Sequence, residues 1–153
     1  MLARDYETQV CSIARALEVI GERWSLLIVR SVMQGHRRFD ALQADLGITR
    51  SVLTDRLRRL EGEGVLERRP YQTRPERFDY LLTEKGLALW PALNHLMQWG
   101  DRYYPEPDGP PVIVEHVGCG GGPDGHQLCD RCGAPLGPGV ITTRSGRAAA
   151  ASG

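Results

Sequence analysis

Residues 47–77, "GITRSVLTDRLRRLEGEGVLERRPYQTRPER", carry eight arginines against five acids, Asp55, Glu61, Glu63, Glu67 and Glu76. The full chain of 153 residues has a formal net charge of zero. One short segment is therefore basic while the rest compensates. Within it, Thr49 is an N-cap residue for a helix running to about Glu61, where Leu53, Leu57 and Leu60 recur at i, i+4 and i+7. Just upstream, "RFDALQADL" (38–46) reads as a short helix with Leu42 and Leu46 inward, stopped by Gly47. A helix, a glycine-bearing turn and a second helix make a helix-turn-helix. Downstream, "VLERRPY" (65–71) and "RFDYLLT" (77–83) read as strands, and the polar Gln72 to Glu76 between them as a hairpin tip. The expected fold is a winged helix-turn-helix, mainly α with a small β-hairpin wing (α+β).

The flanks extend this frame. Val10, Ile13, Leu17 and Ile20 recur at helical spacing until Gly21 interrupts them. "ERWSLLIVRSVM" (22–33) is apolar on most sides, which predicts a central buried helix closed by Gly35. Thr83 caps a final helix with Glu84 in its first turn and Leu87, Trp90, Leu93, Leu96 and Met97 along it; Pro91 predicts a kink or break there. From Pro105 the composition turns to Pro and Gly, and the chain ends in "RSGRAAAASG" (144–153). The expected organisation is a winged helix-turn-helix domain over 1–104, a linker over 105–111, a small Cys/His-bearing segment over 112–139, and a disordered tail over 140–153.

The leucine stripe decides where the basic residues point. Ser51, Thr54, Asp55 and Arg58 lie opposite it, and Arg50 stands at the helix N-terminus, the end a recognition helix presents to base edges in the major groove. Arg56 and Arg59 lie further round, suited to phosphate or to pairing with acids. On the hairpin, Arg74 and Arg77 are placed to follow the sugar-phosphate backbone or enter a minor groove. A charged helix face alone is as well explained by solvation. The turn, the wing and basic residues on both together point to double-stranded DNA. Asp55 on the same face points to discrimination among sequences.

Other classes are disfavoured. "MLARDYETQVCS" lacks the basic start and apolar run of a signal peptide, and no apolar segment approaches the roughly 18 residues of a membrane span. The expectation is a cytoplasmic protein without membrane contact, whose four cysteines are thiols or metal ligands rather than disulfides. No Ser-His-Asp pattern, phosphate-binding glycine loop or paired carboxylate motif is present, so no enzyme is expected.

With these elements in place, the chain resembles the HxlR-type transcriptional regulators, winged-helix relatives of the MarR group. The resemblance rests on "CSIARALEVIGERWSLLIVRSVMQGHRRFDAL", "ITRSVLTDRLRRLEGEGVLERRPY", "RFDYLLTEKGLALWPAL" and "WGDRY", covering about residues 8–104. It implies a cytoplasmic bacterial homodimer that binds operator DNA. Two recognition helices about 34 Å apart would then call for an inverted-repeat operator. The apolar face with Trp90, Leu93, Met97, Trp99, Tyr103 and Tyr104 suits such a dimer. Cys11 matches the family's N-terminal cysteine, an oxidant or electrophile sensor in some members, and Arg15 lies one helical turn on. Small-molecule effectors are equally compatible.

The C-terminal segment carries a second constellation. His116-x-x-Cys119 and Cys129-x-x-Cys132 are two short chelating pairs, each followed by glycine, a spacing that lets two knuckles share one tetrahedral Zn2+. His126 is a rival fourth ligand. A segment so poor in hydrophobes needs such a staple to fold. "HQLCDRC" lacks the glutamate and proline of a zinc deaminase, and four protein ligands leave no open position for water, so the role is structural. The competing reading of the whole chain is a zinc-containing interaction module whose winged helix contacts a protein partner rather than DNA.

Overall fold

The computed structural model describes residue 8 and residues 10–147. Among them, six helices and four strands run in the order α1 (Ser12–Ile20), α2 (Ser25–Met33), α3 (Phe39–Leu46), α4 (Arg50–Gly62), β1 (Leu66–Thr73), β2 (Glu76–Leu82), α5 (Glu84–Leu87), α6 (Trp90–Tyr103), β3 (Val112–His116) and β4 (Ile141–Ser145). They fall into two compact units, Met1–Ala88 and Leu89–Gly153.

The first unit is the winged helix. Its core is Ile28, Val29 and Val32 of α2, Leu42 of α3, Leu53, Leu57 and Leu60 of α4, and Val65 and Leu66 entering the wing, all buried. The helix expected to be central, α2, is the one with most buried positions. Gly47 closes α3 in the left-handed region (φ 63°), and Gly64 (φ 70°) closes α4, with Val65 N–H returning to Leu60 O at 2.9 Å. The wing pairs antiparallel from Leu66↔Leu82 to Thr73↔Glu76, with an irregularity between Pro70 and Gln72 that bulges Tyr71. α1 is the exception to inward packing. Only Ala14 is buried, while Val10, Ile13 (70% exposed) and Leu17 face out.

The second unit meets the expected break at Pro91 and departs from expectation in two places. Pro91 does break the terminal helix, but as the second residue of a new helix, where its missing N–H costs nothing; α5 and α6 are therefore separate. The compact boundary falls after Ala88 rather than at 104, because amide side chains of α6 bond to the loop 122–128. The expected disorder from residue 140 is corrected by β4, which pairs antiparallel with β3 from Val112↔Ser145 to His116↔Ile141. The β-branched Ile141, Thr142 and Thr143 suit a strand, and Arg144 pairs with Glu115 at 2.5 Å. Residues 148–153 lie outside the described residues.

Thr83 and Gly86 lock the wing's exit. Thr83 Oγ1 accepts from Gly86 N–H at 3.1 Å, capping α5, and donates to Gly64 O. A Cβ on Gly86 would lie 2.3 Å from Val65 O and 2.8 Å from Leu82 Cδ2, whereas one on Gly62 would meet nothing within 4 Å. Gly86→Ala is therefore expected to lower stability by roughly 1–3 kcal/mol, as overpacking does. Gly62→Ala should be neutral or stabilising by up to about 1 kcal/mol, its helix gaining from a stiffer unfolded chain. Urea denaturation of both variants checks this; equal midpoints would contradict it.

Candidate nucleic-acid interface and metal-ligand cluster

Thr49 starts α4 as expected, its Oγ1 accepting from Val52 N–H at 3.4 Å. With the leucine stripe buried, the opposite face is solvent-exposed, but its side chains are not equivalent. Arg50 stacks over Phe39, 4.5 Å from the ring centroid, and lies 3.8 Å from Asp40. Ser51 Oγ is 3.3 Å from Thr49 Oγ1, and Thr54 Oγ1 donates to Arg50 O at 2.8 Å. Asp55 pairs with Arg56 at 2.6 Å. Arg58 is exposed and, among the described residues, makes no hydrogen bond or ion pair. It is the side chain of this face most open to an outside partner. Arg56 also pairs with Glu22 at 3.1 Å, and Arg59 donates to Glu18 O, so both tie α4 to the first helix and its following turn.

On the wing, Arg74 and Arg77 are exposed at and beside the hairpin turn, and neither guanidinium bonds to another described residue. The sequence reading missed two further arginines. Arg38 stands at the N-cap position of α3 without a side-chain cap bond, stacks 4.3 Å over the bulged Tyr71 and lies 3.5 Å from Asp79. Next to it, Arg37 O accepts from Tyr80 N–H at 2.7 Å, and the Arg37 side chain is exposed. This pair anchors the wing to the helix-turn-helix. Its only sequence signal was the doublet in "HRRF" (36–39), uninformative without the wing's position.

Asp45 fixes α3 against α2. It accepts from the buried Ser31 hydroxyl and from Arg30 at 3.1 Å, with His36 Nδ1 4.0 Å away. The Ser31 hydrogen bond, aided by Arg30 and His36 and opposed by burial, holds its carboxyl below the ordinary value.

The second unit gathers His116, Cys119, Cys129 and Cys132, whose donor atoms all lie within 4.8 Å of one another. Cys119 Sγ is 3.3 Å from His116 Nδ1 and 3.4 Å from Cys129 Sγ, and Cys132 Sγ is 3.3 Å from His116 Nδ1. Zinc bond lengths of about 2.0–2.3 Å imply ligand–ligand edges of about 3.5–3.8 Å in a tetrahedron, and the three close pairs lie a few tenths of an ångström inside that. His126 is exposed and outside this group. Gly120 (φ 70°) and Gly133 (φ 74°) make the tight turns. Gly121, which the sequence reading passed over, admits the Cys129 sulfur, since a Cβ there would lie 2.5 Å from it. Backbone N–H groups of Cys132 and Arg131 lower the Cys129 thiol to about 6 despite its burial. Cys119 accepts from Gly121 N–H, yet desolvation and the neighbouring thiols leave it raised. Three thiols and an imidazole converging here form a donor set suited to a thiophilic, tetrahedral ion.

Fold and interface together define a winged helix-turn-helix protein with a C-terminal Cys/His cluster. The model of the HxlR-like helix-turn-helix family matches residues 19–108, and the chain belongs to that family, whose members are transcriptional regulators rather than enzymes. An HTH-type transcriptional regulator of Mycobacterium tuberculosis is 46% identical over 135 residues, 88% of this chain and 85% of that one. The crystal structure of PA1607, a proposed transcription factor, superposes with a TM-score of 0.71 at 37% identity, covering 85% of this chain and 91% of that one. The redox regulator HypR in its oxidized form aligns at TM-score 0.53 and 33% identity over 60% of this chain and 96% of that one. Among the described residues, no helix is long and apolar enough to cross a membrane.

Proposed function

We propose that the protein is a sequence-specific, operator-binding regulator of the HxlR type that acts as a homodimer and carries one structural zinc per chain. The observation that carries the DNA reading is Arg58, exposed and unengaged on the outward face of α4, together with the equally unengaged Arg74 and Arg77 on the wing. Guanidinium groups without internal partners are available to phosphates and to guanine edges. Arg50, Ser51 and Thr54 complete the helix face, and Asp55, held by Arg56, orients that arginine rather than reading a base alone. Relatives named as HTH-type transcriptional regulators support this reading.

Two apolar faces support the homodimer: Ile13 and Leu17 on α1 with Val10 just before it, and Leu96, Trp99 (54% exposed) and Tyr103 on α6 with Tyr104 just after it. The Trp99 ring lies 5.7 Å from that of Tyr103 and 5.3 Å from that of Tyr104, tilted 49° and 50° to them, forming a continuous aromatic surface. Trp90, expected on that face, is instead buried within the chain. An oxidant effector at Cys11 is supported by its exposure and by the likeness to HypR. Arg15, however, donates to Ser12 Oγ at 3.2 Å rather than serving Cys11.

Three outcomes follow. In mobility-shift titrations, Arg58→Ala should cost roughly 1–3 kcal/mol on operator DNA and relax specificity at one position, while Arg74→Ala should weaken all sequences alike and reduce the salt slope by about one. Wild-type affinity in both variants would rule out this docking. Leu96→Glu combined with Trp99→Glu should convert dimer to monomer in light scattering, since a desolvated carboxylate has no partner in an apolar interface; an intact dimer would exclude the α6 face. Metal analysis of protein prepared without chelators should find one zinc per chain, absent in Cys129→Ser. Metal-free wild-type protein that takes up no added zinc would refute the site.

A further inference from the structure

The Cys/His cluster sits at the ends of a loop that is bonded to α6 by side-chain amides. Asn94 Nδ2 of α6 donates to Gln127 Oε1, Gln127 Nε2 donates to Gln98 Oε1 at 3.0 Å, and Gln98 Nε2 donates to Pro123 O at 3.1 Å. His95 Nε2 stands 3.2 Å from Gly125 O on the same loop. Asn94 and Gln127 are 4% and 7% exposed, so water competes little for the rung between them, while Gln98 is half-buried. A buried amide that loses its partner cannot turn to solvent, and the rungs therefore hold or part together.

The loop is turned by Asp124, whose Oδ1 accepts from His126 N–H at 2.7 Å and from Leu128 N–H at 2.9 Å. Gln127 is the non-glycine residue with positive φ (62°) among the described residues, a backbone state that side chains rarely occupy. Gln127 lies two positions before Cys129, and Pro123 four after Cys119, so the loop is strung between two of the four donors. Buried apolar side chains of the described segment 105–147 are few, namely Val114, Cys129 and Leu136. Apolar packing clamps the loop's ends little; Asp130 N–H to Gly122 O at 2.9 Å and Gly122 N–H to Asp130 Oδ1 at 2.8 Å join them, and an ion bridging Cys119 and Cys129 would fix them further.

We infer that the Cys/His cluster is a metal-operated latch on α6: with the ion bound, loop 122–128 is held in the shape that pairs Gln127 with Asn94 and Gln98, and loss of the ion releases those amides and loosens the helix. The inference rests on the zinc reading above and assigns that site a regulatory consequence. The helix so controlled is the one that carries Leu96 and the Trp99–Tyr103–Tyr104 surface, so metal supply would be read out at an association face.

Hydrogen exchange on the full-length protein tests this, with zinc content measured before and after chelation. In loaded wild-type protein, peptides covering 92–103 and 122–128 should be protected, and removal of zinc should speed their exchange at least tenfold, while peptides from α4 stay unchanged. Gln98→Ala and Gln127→Ala should each retain one zinc per chain, yet show fast exchange over 92–103 whether loaded or not; two variants on opposite sides of the ladder guard against a local misfold in either. Zinc that binds and leaves with no change in 92–103 would overturn the latch and leave the metal site standing, as would full α6 protection in both loaded variants. A chain that takes up no zinc overturns the metal reading and the latch with it.

Discussion

The burial of Leu53, Leu57 and Leu60 is the constraint on which the geometry of the exposed α4 face depends. Three leucines on one stripe, each at most 1% exposed, fix the rotation of α4 about its own axis. Once that rotation is set, Arg58 has one direction available, outward. Burial of the same stripe also sets the start of β1, because Val65 N–H closes on Leu60 O and passes directly into the wing. Rotating the helix would expose the leucines and turn arginines inward, where unpaired guanidinium groups are far costlier than at the surface. The apolar stripe thus specifies the charged face indirectly.

Anchoring the wing needs a different kind of interaction. A two-stranded hairpin is marginal in water on its own. Here Arg38 over Tyr71, its ion pair with Asp79, and the Tyr80–Arg37 backbone bond hold its outer side, while Thr83 and Gly86 hold its exit. These contacts are polar or aromatic and partly exposed, which suits an element that stays in place while its tip remains free to meet a ligand.

What the sequence disclosed follows the same division. Periodic apolar residues, glycines after helices and the Thr49 and Thr83 caps each have a local signature, and the winged helix was legible from them. The cysteine spacing was equally local, and the structure brings His116 together with all three cysteines. Features made by distant pairing were not legible. "ITTRS" (141–145) reads as tail until "VIVEH" (112–116) supplies its ladder. Arg38 and Tyr71 are ordinary exposed residues until the wing folds back. Nor does the face of Thr54 or Asp55 disclose that each is satisfied within its own helix.

Asn94 and Gln127 show the limit most clearly, since polar residues on a helix and in a loop normally imply solvent. Their burial against each other has a consequence that an apolar contact would lack. Leucines in the same places would hold loop and helix together whatever the loop's detailed shape, because hydrophobic attraction is not directional. Amides hold only when donor meets acceptor within a few tenths of an ångström. An attachment built this way transmits small changes in loop geometry that an apolar one would absorb. Asp124 turns the loop and the Gly122–Asp130 bonds close its ends beside Cys129, so on the latch reading the choice of amides over leucines is what would make the state of the Cys119 and Cys129 sulfurs matter to α6.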